Sequence, residues 1–269
     1  MLPSLWEAVV GDSEVRVFER DERTGKRVLT PQLRQVWMLK NRLGEERRAC
    51  VGKHVRGRLA LVSLELLPAL YALTGRDGRA DDFRDVELAS LERDLAQALL
   101  ETGPQTGPEL RLLVAVDARA GKRALESLQR SLVVTQAGEQ EQDAGWDAAV
   151  YDLLARRYGP HLASLPPVEE ARRDLIAVLL RSVEEVSAAD AAAVFRFRVK
   201  EAAAVLDGLV EQGQAVRRVQ DETAVYVRRS IDRTDGTATS ASAPTTSKTE
   251  AATSSSRMPT RSANGPASA

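Results

Sequence analysis

A stripe of basic residues between positions 119 and 130 carries the clearest chemistry in this sequence. Arg119, Lys122, Arg123 and Arg130 recur at spacings that place them on one face of an α-helix, and Glu126 lies among them. Guanidinium and ammonium groups arranged in this way can neutralise DNA phosphates and donate hydrogen bonds to the edges of bases. The pattern therefore predicts a helix that contacts nucleic acid in a groove. The alternative interpretation is a solvated helix face.

A second basic region lies closer to the N-terminus, between positions 34 and 58, where only two acids accompany eight cations. We expect Lys53, Arg56 and Arg58 to hold phosphates, with His54 at the surface or contacting a phosphate beside them. The alternative is that these cations are surface residues next to a helical core. The eight cations are Arg34, Lys40, Arg42, Arg47, Arg48, Lys53, Arg56 and Arg58.

Two helices are expected to precede the basic stripe. Leucines at helical spacing across residues 88–99 indicate the first helix, and Gly103-Pro104 ends it. Thr106 followed by Glu109 has the form of a capping box, which predicts a short second helix.

The basic stripe itself falls on a third helix, expected from Ala118 to Ser131. A strand over 132–136 and a polar loop over 137–145 follow it. This order is typical of a winged helix-turn-helix, a fold whose third helix enters the DNA major groove. The apolar side of the third helix is expected to bury Gly121, Leu125, Leu128 and Leu132.

The same order is predicted a second time towards the C-terminus. Apolar residues over 168–179 indicate a helix, and Ser187 with Asp190 forms another capping-box pattern. A third helix over 199–211 and a hairpin over 214–229 complete a second winged helix.

The third helix of the second winged helix differs in charge from that of the first, because its exposed face is net acidic. That face holds Lys200, Glu201, Asp207 and Glu211. The hairpin that follows is basic, so it could touch a DNA backbone while the helix packs on protein. Its cations are Arg217, Arg218, Arg228 and Arg229.

These elements predict an α+β fold that is mainly helical. We expect a small N-terminal α/β part over 1–85, a first winged helix with a connecting helix over 86–160, and a second winged helix over 161–229. Residues 230–269 are rich in Ser, Thr, Ala and Pro and contain no aromatic residue, so they predict a disordered tail.

Composition excludes several kinds of site. The lone Cys50 forms no intrachain disulfide and favours a reducing, cytoplasmic compartment, and with two histidines it makes no zinc site. The apolar run over 59–73 is too short to span a bilayer, and we find no signal peptide. Gly52-Lys53 and Gly121-Lys122 both lack the spacing of a phosphate-binding loop, and no Gly-x-Ser-x-Gly elbow occurs. We therefore expect no metal, no cofactor and no membrane contact.

Short blocks spread over residues 2 to 229 resemble the AlkZ/YcaQ-type winged-helix family, in particular its AlkZ-related branch. They are Leu2-Pro3-Ser4-Leu5-Trp6-Glu7-Ala8, Trp37-Met38-Leu39-Lys40, Gly52-Lys53, Arg56-Gly57-Arg58, Tyr71-Ala72-Leu73-Thr74-Gly75, Gly103-Pro104, Leu110-Arg111, Ala124-Leu125, Leu128-Gln129 and Tyr151-Asp152-Leu153-Leu154.

This resemblance implies tandem winged helices with double-stranded DNA as the partner. In catalytic members it implies a glycosylase that excises alkylated or cross-linked purines, with a Gln-x-Gln or Gln-x-Asp motif positioning the attacking water. Here Gln32 and Gln35 have the wrong spacing, and the string over 140–142 falls in the predicted polar loop. The catalytic residues are therefore unassigned. The hypotheses are a non-catalytic DNA-binding protein, a glycosylase, and a dimeric transcriptional regulator, with the oligomeric state open.

Overall fold

A computed structural model describes residues 18–142, 147–220 and 223–229. Residues 1–17, part of the predicted polar loop and the predicted disordered tail lie outside the described residues. The described part is mixed α+β, with helices predominating over three small sheets.

The N-terminal part begins with a hairpin and a long helix. Thr30 caps that helix by accepting the N–H of Leu33, and Pro31 opens it, which explains why it starts there. The apolar run over 59–73 divides between a strand and a short helix. The elements are β1 (Phe18–Arg20), β2 (Arg27–Leu29), α1 (Pro31–Glu45), β3 (Ala49–Val55), β4 (Arg58–Ser63), α2 (Leu67–Ala72) and a 3₁₀ turn (Asp82–Asp85).

The next segment, the first repeat, contains the basic stripe. Its first helix ends at Gly103, whose φ of 87° favours glycine. The predicted capping box is confirmed, because Thr106 Oγ1 accepts the N–H of Glu109 while Glu109 Oε2 accepts the N–H of Thr106. The elements are α3 (Ser90–Thr102), β5 (Gln105–Thr106), α4 (Gly107–Leu113), α5 (Ala118–Arg130), β6 (Val134–Gln140) and β7 (Ala148–Leu153).

The second repeat has the same order of elements. The helix α6 (Leu154–Leu162) leads to it from the first repeat. In the first repeat β5 pairs with β7 and β7 with β6, and in the second β8 pairs with β10 and β10 with β9, all antiparallel. The topology therefore occurs twice. The elements are α7 (Val168–Ser182), β8 (Glu185–Ser187), α8 (Ala188–Phe195), α9 (Val199–Glu211), β9 (Ala215–Gln220) and β10 (Thr223–Arg228).

One sheet joins the N-terminal part to the first repeat. Its strand order is β4-β3-β6-β7-β5, and β3 meets β6 where Val51 pairs with Gln136. The sheet therefore runs across the boundary predicted near residue 85.

Three groups of buried side chains hold the described part together. Each repeat has its own core, centred on Leu95 and Leu128 in the first and on Leu179 and Leu206 in the second. A third core, which includes Tyr71, packs α2 against β3, β4, α6 and α7. The side chains that would carry function are thus presented by a continuous packed scaffold.

Candidate nucleic-acid interface

Helix α5 turns its cations outward because its opposite side is buried in the first repeat. Leu125 and Leu128 are buried there, and Asp117 caps the helix by accepting the N–H groups of Arg119 and Ala120. The four predicted contacts, here called the α5 cations, are all exposed. Among the described residues no carboxylate oxygen lies within 4.0 Å of their charged nitrogens. The α5 cations are Arg119, Lys122, Arg123 and Arg130.

The single acid on this face is neutralised from another strand. Lys53 Nζ on β3 lies 2.5 Å from Glu126 Oε1, and both side chains are partly exposed. The hydrogen bond from Lys53 lowers the pKa of Glu126, so this carboxylate stays ionised at neutral pH. The pair removes the one negative charge from the face of α5, and it occupies the ammonium of Lys53.

The β3–β4 turn places two further predicted cations beside α5. Arg56 and Gly57 form the turn with φ values of 53° and 66°, and Arg56 and Arg58 are exposed. A Cβ on Gly57 would lie 3.5 Å from Arg130 Cδ, so the turn rests against the end of α5. A left-handed backbone costs a residue with a side chain about 1–2 kcal/mol relative to the right-handed form.

Three other cations of the N-terminal basic region are paired with acids. Lys40 is buried and lies 3.0 Å from Glu139 on β6, so it anchors that strand to α1. Arg42 pairs with Glu46 at 2.7 Å, and Arg48 approaches the same carboxylate. The region is therefore less available to a polyanion than its composition predicts.

The C-terminal end of α5 receives donors from three separate segments. His54 Nδ1 on β3 donates to the carbonyl of Gln129 at 2.8 Å. Arg76 Nη2, from the loop after α2, donates to Ser131 O at 2.8 Å, and Arg196 Nη1, from the second repeat, donates to Arg130 O at 3.4 Å. The last carbonyls of a helix have spare capacity to accept hydrogen bonds, so these donors tie the end of α5 to the three segments.

The expectation that His54 is a surface residue is wrong, because this side chain is buried beside Cys50. Burial lowers the pKa of His54 to about 4 and raises the pKa of Cys50 to about 12, so both are neutral. Since Nδ1 donates to Gln129 O, Nε2 accepts the Cys50 thiol at 3.4 Å. A Cβ on Gly52 would lie 2.5 Å from His54 Nε2, so glycine is required there. The pair supports α5 from below, and the His54 side chain also borders the cleft described next.

A cleft of about 350 Å³ opens between the loop after α2, the end of α5, and helices α8 and α9. Four arginines line it, together with the carboxylates of Glu87 and Glu201 and an apolar portion that includes Phe195 and Phe197. The two aromatic rings are 5.7 Å apart at a tilt of 34°. The four arginines are Arg76, Arg130, Arg172 and Arg196.

Two of these arginines are held by acids and two are free of them. Arg76 is buried against Asp82 at 3.1 Å, and Arg172 Nη2 lies 3.3 Å from Glu201. A hydrogen bond from Arg198 lowers the pKa of Glu201 to about 2, so this carboxylate stays charged and paired. Within the described residues, Arg130 and Arg196 have no carboxylate partner. The mouth of the cleft is therefore cationic.

Helix α9 occupies the position in the second repeat that α5 has in the first. Its acids are taken up within the repeat: Glu201 pairs with Arg172 and Arg198, and Asp207 accepts the Tyr226 hydroxyl at 2.8 Å. Arg217 also lies 3.9 Å from Asp207. The acidic face predicted from the sequence is thus largely neutralised by neighbouring side chains.

Among the described residues, no glutamine pair lines the cleft. Gln140, Glu141 and Gln142 are exposed at and beyond the end of β6, and Gln142 Nε2 donates to the carbonyls of the two residues before it. Gln32 and Gln35 are exposed on α1. The residue types of the Gln-x-Gln motif are therefore present, but these side chains do not lie in the cleft.

Sequence reasoning missed three residues that shape the interface. Asp117 could have been found, because an Asp before a helix is a common N-cap. Arg76 and Arg196 carry no local signal, since their role depends on segments distant in the chain meeting the end of α5.

Neither a metal centre nor a membrane-spanning helix is present in the described residues. No group of three or more His, Cys, Asp or Glu side chains in that part of the chain could hold a metal ion. No helix there is long and apolar enough to cross a membrane.

Comparison with known proteins gives a family. The family model described as AlkZ related matches residues 18–196, about two thirds of the chain. Among solved structures, the chain is similar to the Streptomyces sahachiroi DNA glycosylase AlkZ, with 15% sequence identity and a TM-score of 0.47. The match covers 70% of this chain and 54% of the glycosylase, so this chain spans about half the length of that relative. No curated protein matches. Because the family model covers well over half of the sequence, the chain belongs to the AlkZ-related family.

Proposed function

We propose that this protein binds double-stranded DNA through the α5 cations and the β3–β4 turn. The observation that carries the proposal is the contrast on one helix face: four exposed cations without carboxylate partners, and one acid held by Lys53. Neutralising the acid from another strand leaves this helix face purely cationic, which favours a polyanion as its partner over a face that is merely solvated.

We interpret the two repeats as tandem winged helices, which makes α5 the third helix of the first unit. In this fold the third helix lies in the major groove, with residues near its N-terminus at the base edges. Arg119, Lys122 and Arg123 would then face bases and adjacent phosphates. Arg130, with Arg56 and Arg58 at the turn, would hold the neighbouring backbone. Lys53 also contributes positive charge, part of which is offset by its ion pair with Glu126.

Salt dependence tests the proposal most directly. Each phosphate contact contributes about −0.9 to the slope of log K against log salt, so six contacts predict a slope near −5. Binding to a fluorescent duplex would be measured across about 50–200 mM salt. The Arg119→Gln/Arg123→Gln variant should weaken binding and reduce the slope by about 1.8.

A matched control comes from the second repeat. Arg173 and Arg181 are exposed on α7, so Arg173→Gln/Arg181→Gln removes the same charge from another surface. This variant should keep the wild-type slope, with thermal melts checking that both variants fold. Absence of duplex binding, or equal losses in the two variants, would rule the proposal out.

Hydrolytic removal of an alkylated purine is a second candidate, favoured by Glu87 in the lining of the cationic cleft. The solved relative is named a DNA glycosylase. A carboxylate could accept a proton from water as the water oxygen bonds to C1′, while the glycosidic electron pair leaves with the purine. A carboxylate acting in this way would need no glutamine pair.

Abasic-site formation in a duplex containing N7-methylguanine distinguishes the two candidates. The glycosylase would be established if the wild type forms abasic sites, Glu87→Gln does not, and Glu101→Gln still does. Glu101 is the control because it is exposed on α3 and does not line the cleft. No abasic sites above a protein-free blank would leave DNA binding alone.

A further inference from the structure

In the second repeat, Arg196 has a backbone conformation that favours glycine. Arg196 caps the C-terminal end of α8 with φ 62°, and its N–H bonds to Ala192 O. This left-handed conformation is usually occupied by glycine. A residue kept in a strained conformation is a reason to look for a function at that position.

Arg196 lies beside Arg130 at the mouth of the cleft. Its Nη1 reaches the backbone oxygen of Arg130 at 3.4 Å, a long contact that occupies one of its five N–H donors. Both side chains are exposed and line the cleft, and neither has a carboxylate within 4.0 Å in the described part of the chain. Two cations without a paired acid at one cleft create a positive potential there, and a bound anion would be stabilised by both.

The acids nearest to this mouth do not supply the missing charge. Glu201 is engaged by Arg172 and Arg198, and Glu87 lines the cleft without an ion pair in the described residues. An external anion is therefore the partner that the two guanidinium groups fit. Guanidinium groups bind phosphate oxygens through two parallel hydrogen bonds, which makes phosphate a well-matched ligand.

We propose that Arg130 and Arg196 together hold one phosphate of the bound DNA at the mouth of the cleft. The second repeat then contacts DNA through the residue that ends α8, and α9 remains turned to protein. This inference rests on the proposed function, since Arg130 belongs to the α5 cations. A phosphate held in this way is bound by one cation from each repeat.

Variants of Arg196 test the contact because a lost phosphate contact changes the salt slope. Arg196→Gln should weaken duplex binding several-fold and reduce the slope by about 0.9, as expected for one contact. Arg196→Lys keeps the charge and should keep most of the slope. Arg196→Gly suits the left-handed backbone, so it should fold at least as well as the wild type and still lose the contact. Arg181→Gln is the control for removing one arginine elsewhere.

The outcomes separate this inference from the proposed function. If Arg196→Gln weakens binding while the slope stays unchanged, Arg196 only holds the end of α5 and the phosphate contact is excluded. Wild-type affinity and slope in Arg196→Gln and Arg196→Gly would also overturn it. If the wild type does not bind duplex at all, the proposed function itself has failed. If the slope falls in Arg119→Gln/Arg123→Gln and not in the Arg196 variants, this inference alone has failed.

Discussion

Helices α5 and α9 occupy the same position in two copies of one topology, and they use their charges in opposite ways. On α5 the acid Glu126 is held by a lysine from another strand, while the cations are left exposed. On α9 the acids Glu201 and Asp207 are held by arginines and a tyrosine of their own repeat. The comparison shows that a count of charges along a helix does not determine its surface, because neighbours decide which charges remain free.

The two helices end in the same backbone pattern, with Val133 N–H bonded to Leu128 O at α5, but they differ in the side-chain donors they receive. The last carbonyls of α5 accept hydrogen bonds from His54, Arg76 and Arg196, which come from three segments. At the end of α9 the described bonds are local backbone ones, such as Gln214 N–H to Leu209 O. Helix α5 is thus positioned by its surroundings, as an element that must meet a partner with defined geometry would be.

The largest expected difference between the ends of α5 and α9 is in how pH affects their stability, because, of the two helices, His54 hydrogen-bonds only to α5. The buried His54 has its pKa lowered to about 4, whereas the unfolded chain titrates near 6.5. Between these values the unfolded state binds a proton that the folded state does not. The free energy of unfolding should therefore fall by about 3 kcal/mol as the pH drops from 6.5 to 4.

This pH effect can be measured by urea unfolding of the wild type, His54→Gln and His161→Gln at both ends of the window. His54→Gln should lose about 3 kcal/mol less than the wild type on acidification. His161 is exposed, so His161→Gln should behave like the wild type. On acidification the amide protection factors, corrected for the intrinsic pH dependence of exchange, should fall at the end of α5 and not at the end of α9. An unchanged pH dependence in His54→Gln would contradict the role assigned to this histidine.

Glycine substitutions at two strained arginines distinguish a binding role from a purely structural one. Arg47 and Arg56 have φ values of 54° and 53°, and only Arg56 lies on the turn against α5. Each change to glycine should stabilise the fold by about 0.5–1 kcal/mol, since relief of strain exceeds the added chain entropy. Only Arg56→Gly should weaken duplex binding and lower the salt slope by about 0.9. Equal binding by both variants would remove Arg56 from the interface.

Removal of one acid from each helix gives the smallest expected effect. Glu126→Gln releases Lys53 beside the α5 cations, so duplex binding should tighten a few-fold and the salt slope should steepen by up to about 0.9. Asp207→Asn releases Arg217 in the second repeat and should leave the slope unchanged. Titration of the same duplex with both variants provides the measurement. Steeper slopes in both would mean that α9 shares the interface.

Local patterns in the sequence predicted the elements well where capping and periodicity agreed. The capping box of Thr106 and Glu109 and the helix over 199–211 were confirmed at those residues. The capping interaction of Ser187 with the N–H of Asp190 was also confirmed. These signals depend on contacts three or four residues apart, which a sequence shows directly.

The sequence by itself determined the helices, their apolar sides and the stripe of cations, because helical periodicity is a local property of the chain. Tertiary structure alone decided that His54 is buried, that Glu126 meets Lys53, and that Arg196 meets Arg130. In each of these pairs the partners come from separate elements, so their meeting depends on how the β3 strand and the two repeats pack. Which charges stay available to a partner therefore follows from packing and could not be read from composition.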